Sequence, residues 1–518
     1  MTRLRDGRRS TVASDVRQTV SLASGRMVAF AATFFLPVVL ARLYPPAEFG
    51  AYKQLFLIFT TLYIIGQFGM AESLFYFLPR AKDRAGRYVV NAVLFLSAAG
   101  VASLVLLETA GTPIAEGLNN PDLHRHFTLL GVFVLLTMVT AVLEIVITAR
   151  GQYGLAAAVY GISDAARAIC FGAGALLTGT LEGLLVGGVV FAALRLVATV
   201  VYVVRTYGRA VLPDRACFGE QVRYAAPFSL AVLLEYGYRS LHQYLVSTRF
   251  DPATFAIYAV GCLQIPVFEA LVASAANVLM VRMGEQLNDG DTKAAVETWR
   301  DVTQRMAAFM VPAVALLVVL AHDLIVTLFT GAYEASVPIF AVTAIAYLPA
   351  ALMTDSVLRV YAQTRFLVVL NFIRLFAVAL ALLALLPVLG LVGAALAMLV
   401  ASVITKVIAL WRLRQLLSVS TRGLLPWRGL AAIVSAAVIA GLVSGMVGAQ
   451  PHLPAIIRMI VTGVVYVITY GALGLWWGVW SLAALQTSRR LESPSSGPVE
   501  PAGAGQPVVA VGEPVDER

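Results

Sequence analysis

The sequence predicts an all-α, polytopic membrane protein with about fourteen transmembrane helices. Of its 518 residues, 59% are hydrophobic and only 13% are charged, and the mean hydropathy is +0.83. Soluble domains average about half apolar and about a quarter charged residues. Long apolar stretches recur along the chain, and a motif in the first half returns in the second half. The connections between the stretches are too short for a separate soluble domain, which excludes most soluble enzyme classes.

Each apolar stretch is long enough to cross a bilayer, which takes about 20 helical residues. The predicted spans are 19–43, 54–78, 88–108, 127–149, 154–177, 182–204, 225–247, 255–281, 306–329, 336–358, 366–387, 389–410, 427–448 and 455–480. Lys and Arg favour the side of the N-terminus by roughly four or five to one, which predicts that this side is cytoplasmic. An even number of spans then places both termini in the cytoplasm.

An internal repeat divides the chain into two halves. Pro46-Ala-Glu-Phe-Gly-Ala-Tyr52 returns as Pro252-Ala-Thr-Phe-Ala-Ile-Tyr258, with four identities in seven positions. A weaker repeat relates Asp164-Ala-Ala-Arg167 to Asn371-Phe-Ile-Arg374 at nearly the same separation. Because each half holds an even number of spans, the copies are parallel repeats, which predicts two pseudo-symmetric lobes of six helices.

The repeat and the composition together set the predicted domain boundaries. The last two helices lie outside the repeat, and a tail rich in Pro, Gly and Ser is typical of disorder. The predicted segments are a basic cytoplasmic N-terminus 1–18, an N-lobe 19–205, a cytoplasmic connector 206–224, a C-lobe 225–415, an appended helix pair 425–482 and a disordered cytoplasmic tail 485–518.

Ionisable residues near the middle of predicted spans are the candidate functional residues, since each costs about 2.5–3.5 kcal/mol at mid-membrane. They are Asp164, Arg167, Arg195, Glu235, Arg239, His242, Glu269 and Arg374. The carboxylates and arginines among them would together cost roughly 20 kcal/mol if they faced lipid, more than the whole stability of a typical domain. They must therefore pair with each other or line water.

Two interpretations of the paired residues stay open. Asp164 and Arg167 are neighbours on one helix face, as are Glu235 and Arg239, and His242 continues the second of these faces. Each pair either neutralises its own charges and serves only to fix helix packing, or lines a polar path through the protein.

Arg195 and Arg374 have no partner on their own helix within a turn, so each needs a water-filled cavity or a partner on another helix. A cavity with several guanidinium groups would suit an anionic head group, because Arg holds phosphate oxygens in a fork. Arg26 and Lys406 lie nearer the cytoplasmic face, where they either extend the basic path or snorkel.

Four segments carry a family resemblance: Phe35-Leu-Pro-Val-Val-Leu-Ala-Arg-Leu-Tyr-Pro-Pro-Ala-Glu-Phe-Gly-Ala-Tyr52, Tyr224-Ala-Ala-Pro-Phe-Ser-Leu230, Phe255-Ala-Ile-Tyr258 and Leu324-Ile-Val-Thr-Leu-Phe-Thr-Gly-Ala-Tyr333. They resemble signatures of the polysaccharide biosynthesis, or oligosaccharide flippase, family, and the resemblance covers about 15–480. It implies the fold of the multidrug/oligosaccharidyl-lipid/polysaccharide (MOP) exporter superfamily, with the two lobes forming a V.

The resemblance also implies a function. The expected activity is alternating-access transport of an undecaprenyl-diphosphate-linked oligosaccharide from the cytoplasmic to the periplasmic leaflet of the bacterial inner membrane, for exopolysaccharide or other surface polysaccharide. It implies a flippase without catalytic residues, metal or cofactor. The expected partners are the lipid-linked glycan, membrane lipids, a polysaccharide polymerase and glycosyltransferases, with no nucleic acid.

The candidate residues divide between two expected roles. Those that would neutralise the diphosphate and acidic sugars are Arg26, Arg167, Arg195, Arg239 and Arg374. The candidates for coupling to a cation gradient are Asp164, Glu235, Glu269 and His242. Many relatives carry Asp where this chain has His242, so any coupling acid must lie elsewhere or His242 must itself titrate.

Three other functions are alternatives. A peptidoglycan lipid-precursor flippase shares the fold, but its second helix usually carries a Pro-Asn motif followed by Arg, whereas this chain reads Gly69-Met-Ala-Glu-Ser-Leu-Phe-Tyr-Phe-Leu-Pro-Arg80. A cation-coupled multidrug exporter normally has fewer spans. A membrane-embedded glycosyltransferase needs a large external loop or an early acidic pair, and the first outer connection, 44–53, is short and holds one acid. No Gly-rich phosphate loop precedes a Lys-Ser/Thr pair, which argues against ATP hydrolysis.

Overall fold

The computed structural model describes residues 34–208, 211–448 and 454–478. All regular secondary structure in these ranges is helical, and no strand occurs in them. Eleven helical segments are long and apolar enough to cross a membrane. The predicted fold class, an all-α polytopic membrane protein, is confirmed.

The described part of the first half, from residue 34 onward, contains nine α-helices. They are α1 Phe34–Leu43, α2 Pro46–Gln67, α3 Met70–Arg80, α4 Ala85–Thr109, α5 Gly111–Gly117, α6 Phe127–Thr140, α7 Val142–Ala149, α8 Tyr153–Thr178 and α9 Leu181–Tyr207. Two short 3-10 helices, Lys82–Arg84 and Pro121–His126, precede α4 and α6.

The second half and the appended pair continue the helical order. They comprise α10 Arg215–Arg249, α11 Pro252–Gly261, α12 Pro266–Asn288, α13 Thr292–Val319, α14 Ala321–Phe329, α15 Val337–Ile345, α16 Thr354–Val360, α17 Thr364–Leu417, α18 Thr421–Leu424, α19 Trp427–Gly448 and α20 Ala455–Trp476. The 3-10 helices Gly331–Ser336 and Leu348–Leu352 flank α15.

The number of passes in the described residues is roughly consistent with the predicted fourteen, and three helices account for the difference from eleven. α10 is not among the eleven apolar segments because it carries many polar residues. α17 turns back on itself at Gly390, where φ is 57°. A methyl group at Gly393 would lie only 2.1 Å from the carbonyl oxygen of Leu385, so the two arms pack against each other and make two passes. α1 is the described end of the predicted span 19–43.

Two predicted spans are interrupted by breaks in the helix. The span 255–281 divides into α11 and α12, because Pro266 has no N–H to continue the helical hydrogen bonds. The span 54–78 is kinked where α2 meets α3, at Phe68 and Gly69, whose φ values are 43° and 65°. These breaks matter because both lie beside cavities described below.

Asp214 caps the start of α10. Its Oδ1 accepts the backbone N–H groups of the first turn at 2.9 and 3.1 Å, and Nη1 of Arg87 lies 2.8 Å from Oδ2. The N–H of Cys217, and next the guanidinium of Arg87, hold the pKa of Asp214 below its ordinary value. This cap starts α10 at Arg215, within the predicted connector 206–224.

The two copies of the repeated motif pack against each other. Each copy begins a helix, α2 at Pro46 and α11 at Pro252. A methyl group at Gly50 would lie 1.8 Å from the carbonyl oxygen of Pro252, so only glycine permits this approach. The ring of Phe49 also lies 5.8 Å from the ring of Tyr333, measured between centroids. We call this end of the bundle the outer end, following the predicted topology.

Buried polar contacts reinforce the outer end. The side chain of Gln54 is fully buried, and its Nε2 donates to Oγ of Ser247 at 2.8 Å and to the carbonyl oxygen of Leu118 at 2.9 Å. Nδ2 of Asn120 donates to Oε1 of Gln54 at 2.7 Å. Nε of Arg42 donates to the carbonyl oxygen of Leu328 at 2.9 Å. Hydrogen bonds therefore tie the first half of the chain to the second at this end.

The appended helices α19 and α20 are joined to the second half by an ion pair. Arg458 on α20 contacts Asp323 on α14 through two nitrogens, and the Nε to Oδ2 distance is 2.7 Å. The hydroxyl of Tyr470 donates to the carbonyl oxygen of Ala308 on α13 at 3.0 Å. α19 also packs along α13.

Replacing Arg458 with alanine is expected to lower the stability of the protein, because its hydrogen bonds to the charged carboxylate of Asp323 are lost and Asp323 is left partly buried without its partner. The measurement is the thermal transition in detergent, compared with an Arg428→Ala control, which removes an exposed arginine at the start of α19. Equal transitions for the two variants would show that the ion pair adds nothing to stability.

Candidate functional site

A cavity of about 570 Å³ lies in the second half of the chain. Its walls come from α10, α11, α12, α15, α16 and both arms of α17, together with the chain between α11 and α12 and between α15 and α16. The volume falls in the range of about 300–1,000 Å³ typical of sites that bind small molecules. We call it the C-lobe cavity.

Two cations meet one carboxylate at its wall. Nζ of Lys406 lies 2.8 Å from Oδ1 of Asp355, whereas Nη2 of Arg374 is 3.9 Å from Oδ2. The other contacts of Arg374 are also long, 3.4 Å from Nε to Oγ1 of Thr405 and 3.3 Å from Nη1 to the hydroxyl of Tyr238. Lys406 and Arg374 are each 13% exposed. Asp355 is therefore neutralised mainly by Lys406, and Arg374 keeps unused donor capacity.

Arg239 forms the second charged group of the cavity. Its Nη2 lies 3.1 Å from Oε1 of Glu235 on its own helix, and its Nη1 lies 3.3 Å from Oε1 of Glu269 on α12. The ring centre of Tyr238 is 5.0 Å from the guanidinium carbon of Arg374 and 6.0 Å from that of Arg239. One tyrosine thus contacts both guanidinium groups, as cation–π attraction favours.

The lining of the C-lobe cavity carries more positive than negative charge. Arg359 adds a fourth cation; it is exposed, and it makes no ion pair with the described residues. The carboxylates on the lining are Asp355 and Glu269. Such a lining favours the binding of an anion. Separately, the described residues contain no group of three or more His, Cys, Asp or Glu placed to hold a metal.

His242 also lines this cavity. Its side chain is buried, and Nδ1 lies 2.6 Å from the hydroxyl oxygen of Tyr258. Tyr258 is the last residue of the second copy of the repeated motif. His242 is therefore held by α11, the helix that packs against α2 at the outer end.

A second cavity, of about 360 Å³, lies in the first half against α10. Nη2 of Arg195 lies 2.6 Å from Oε2 of Glu144, and only 3% of the Glu144 side chain is exposed. Glu144 is thus the interhelical partner that Arg195 requires. Glu72 also lines this cavity, and its Oε2 is buried without a hydrogen-bond partner. We call it the N-lobe cavity.

The remaining predicted residues lie elsewhere. Asp164 and Arg167 form an ion pair of 2.9 Å on α8, and neither lines either of the two cavities. Arg26 lies outside the described residues. The structure thus brings Arg239 and Arg374 together and separates them from Arg195, while the transport roles of all these residues remain predictions.

The sequence analysis missed several cavity residues. Asp355, Glu144 and Arg359 lie near the ends of predicted spans, where charged residues are ordinary. Asp355 follows a break in the helix at Met353, whose φ is 52°. Pro349 upstream was the available signal, because a proline within an apolar span often marks irregular backbone at a functional depth.

Comparison with known proteins gives a family and a fold. Residues 39–338, more than half of the chain, match the sequence model of a family described as polysaccharide biosynthesis protein. No curated protein sequence matches the chain significantly.

Solved structures with the same fold are transporters. The chain is similar to the lipid II flippase MurJ in an inward closed conformation, with a TM-score of 0.68 and 12% identity over 86% of this chain and 99% of that chain. For an inward-facing multidrug resistance MATE family transporter of the MOP superfamily, the TM-score is 0.56 and the identity is 13%, over 75% of this chain and 94% of that chain. For a MOP superfamily transporter from Pyrococcus furiosus, the TM-score is 0.54 and the identity is 13%, over 78% of this chain and 96% of that chain.

Proposed function

The chain belongs to the polysaccharide biosynthesis protein family, as the resemblance predicted, and from this premise we propose that it moves a polyprenyl-diphosphate-linked oligosaccharide across the bacterial inner membrane. The direction is from the cytoplasmic to the periplasmic leaflet, and the product serves surface polysaccharide synthesis. Undecaprenyl is the expected lipid. The protein acts as a transporter rather than an enzyme.

The observation that carries this proposal is the charge of the C-lobe cavity. Four cationic side chains, Arg239, Arg359, Arg374 and Lys406, share a lining with two carboxylates. Glu235, just off the lining, also pairs with Arg239, which leaves an excess of one positive charge. A diphosphate that links a lipid to a sugar is anionic, so this excess would favour its binding. Arg374 is the group best placed to bind it, because its present contacts are long and its side chain is mostly buried.

The cavity also suits the rest of the substrate. Its volume holds a diphosphate and the first sugars, and Tyr238, Gln243 and Gln264 on the lining offer polar and aromatic contacts for a glycan. The lipid tail would remain in the bilayer while the head group crosses between the lobes, so that no charge meets hydrocarbon. Both termini would lie in the cytoplasm, beside the glycosyltransferases that build the substrate, and a polymerase would take the product on the other side.

A second candidate is a peptidoglycan lipid-precursor flippase, favoured by the fold similarity to MurJ. That substrate has the same lipid diphosphate and a different glycan. A cation-coupled multidrug exporter shares the fold of the MATE structures, but the net positive lining of the C-lobe cavity disfavours cationic drugs.

The test is translocation by the purified protein in sealed vesicles, with a fluorescent polyprenyl-diphosphate oligosaccharide as substrate. We expect the label to reach the opposite leaflet, while the same glycan on an uncharged lipid does not move. Movement of a lipid-linked peptidoglycan precursor alone would support the second candidate. Drug export with no movement of any lipid-linked glycan would contradict the flippase function.

A further inference from the structure

The N-lobe cavity contains polar groups that the proposed function does not use. Nη2 of Arg195 pairs with Oε2 of Glu144 at 2.6 Å, and the buried Nε of the same guanidinium has no hydrogen-bond partner in the described structure. Oε2 of Glu72 is also buried without a partner, and Glu72 makes no ion pair with the described residues. The lining therefore holds an unused donor and an unused acceptor. Buried polar groups left unpaired cost free energy, so a ligand that pairs both of them would bind favourably.

Hydroxyl groups match this donor and acceptor better than an ion does. A hydroxyl both donates and accepts hydrogen bonds, so neighbouring hydroxyls of one molecule can donate to Glu72 and accept from Arg195. An anion would leave the carboxylate of Glu72 without a donor, and a metal cation would leave Nε of Arg195 without an acceptor. A lipid chain is disfavoured, because it would place both groups against hydrocarbon.

Aromatic side chains on the same lining favour a sugar as the source of these hydroxyls. Tyr63, Tyr160 and Phe228 line the cavity, and Tyr160 and Phe228 are exposed. The C–H faces of sugar rings pack on aromatic rings, while sugar hydroxyls bond to polar side chains. Gln67 and Ser229 add polar side chains to this lining. The composition of the N-lobe cavity is therefore that of a carbohydrate site.

Exposed aromatic rings continue this surface away from the outer end. Tyr76 lies one helical turn after Glu72 on α3, and Tyr224 lies one turn before Phe228 on α10. Both tyrosines are exposed, and their rings stack with centroids 4.5 Å apart. The guanidinium carbon of Arg80 lies 3.9 Å from the ring centre of Tyr76. In the predicted topology, a glycan that enters from the cytoplasmic side would pass these rings before it reaches the cavity.

Helix α10 places the N-lobe cavity near the proposed diphosphate site. Val232 lines the N-lobe cavity, and Tyr238 on the same helix lines the C-lobe cavity. At 1.5 Å of rise per residue, these two positions are about 9 Å apart along the helix axis. A chain of a few sugars can cover such a distance, whereas the sugar attached directly to the diphosphate would stay in the C-lobe cavity.

We propose that the N-lobe cavity is a glycan subsite, which binds neutral or amino sugars of the oligosaccharide beyond the sugar next to the diphosphate. Glu72 accepts hydrogen bonds from their hydroxyl or ammonium groups, and Nε of Arg195 donates to a sugar oxygen. Because Glu144 already neutralises Arg195, Glu72 leaves the lining with an excess of one negative charge, which disfavours acidic sugars. This inference rests on the proposed function and adds to it a preference for glycan charge and length.

The test is binding to the purified protein in detergent, measured by isothermal titration calorimetry. The probes are a short-chain prenyl diphosphate that carries N-acetylglucosamine alone, the same lipid with neutral chitotetraose, and the same lipid with an acidic hyaluronan tetrasaccharide. Wild type should bind the chitotetraose form most tightly. Glu72→Ala should lower the affinity for that form by about 10- to 150-fold, as expected for a lost charged hydrogen bond, and leave the affinity for the single-sugar form unchanged.

Two further variants test the role of the charge. Glu72→Gln keeps an acceptor without the charge, so it should narrow the difference in affinity between the chitotetraose and hyaluronan forms. Glu108→Ala is the matched control, because it removes an exposed glutamate at the end of α4 that lines neither cavity. If Glu72→Ala binds the chitotetraose form like wild type, or loses the single-sugar form equally, the subsite is overturned. Equal binding of the chitotetraose and hyaluronan forms by wild type would overturn the charge preference.

Free chitotetraose, without the lipid diphosphate, separates this inference from the proposed function. If wild type binds the single-sugar diphosphate and gains no affinity from further sugars, the glycan subsite is wrong and the proposed function stands. If wild type binds free chitotetraose, Glu72→Ala does not, and no prenyl diphosphate binds, the proposed function fails and the glycan subsite stands.

Discussion

Replacing Arg374 with alanine is expected to lower the rate of lipid-linked glycan translocation by about 10- to 150-fold, the equivalent of about 1.5–3 kcal/mol for charged hydrogen bonds. The guanidinium of Arg374 is mostly buried at the wall of the C-lobe cavity, and its contacts to Asp355, Thr405 and Tyr238 lie between 3.3 and 3.9 Å. Because these contacts are long, the guanidinium can exchange them for strong hydrogen bonds to a phosphate at little cost in free energy. The measurement is the initial translocation rate in vesicles.

The loss should not come from unfolding, because Lys406 still holds Asp355 at 2.8 Å after Arg374 is removed. Arg374→Lys keeps the charge without the fork and should fall between wild type and Arg374→Ala. The matched control is Arg305→Ala, since Arg305 is exposed, pairs with Asp301 on its own helix and lines neither cavity. Translocation at the wild-type rate by Arg374→Ala would exclude the C-lobe cavity as the diphosphate site.

A leucine at Gly50 is expected to hold the outer end open and to lower translocation by more than about tenfold, since overpacking of a close helix contact costs about 1–3 kcal/mol or more. Even a Cβ atom would lie 1.8 Å from the carbonyl oxygen of Pro252 and 2.6 Å from its carbonyl carbon. Both atoms belong to the backbone, so no side-chain rotation relieves the clash. α2 and α11 must then separate, and the transport cycle loses the state in which they meet.

Opening of the outer end can be measured with a native thiol. Cys262 follows α11 and lines the C-lobe cavity, so a membrane-impermeant thiol reagent added from outside should label it faster in Gly50→Leu than in wild type. Cys262→Ser in the same background shows which label belongs to this residue. Gly284→Leu is the matched control, because a Cβ at Gly284 meets no atom within 4 Å. Equal labelling of wild type and Gly50→Leu would show that the two motif copies do not form an outer gate.

Sequence reasoning was most informative where the physics is local. The apolar stretches predicted the helices, because a backbone in lipid must satisfy its own hydrogen bonds. It was least informative at the ends of spans, where a charged residue in water and one in a cavity look alike. Arg359 directly follows the predicted span 336–358, and it lines the C-lobe cavity. For Lys406, the sequence did not distinguish snorkelling from a place on a functional path. In the structure its Nζ contacts Asp355, which lies 51 positions earlier in the chain.

The internal repeat also separates what the sequence shows from what only the structure shows. The sequence shows that residues 46–52 and 252–258 are copies, which predicts two lobes of one design. Only the structure shows that the copies touch, with the backbone of Pro252 against Gly50. Copies that begin equivalent helices can meet only if those helices lie near the axis that relates the lobes, and a linear chain does not encode that distance.

The sequence alone determined that this protein is a bundle of membrane helices in two related halves, with charges that cannot face lipid. Hydropathy, helix length and residue type decide those properties one segment at a time. Only the tertiary structure decided which charges meet: Arg374 with Asp355 and Lys406 in one cavity, and Arg195 with Glu144 in another. Each of these pairings joins different helix segments, and electrostatic energy depends on distances in space, which packing sets.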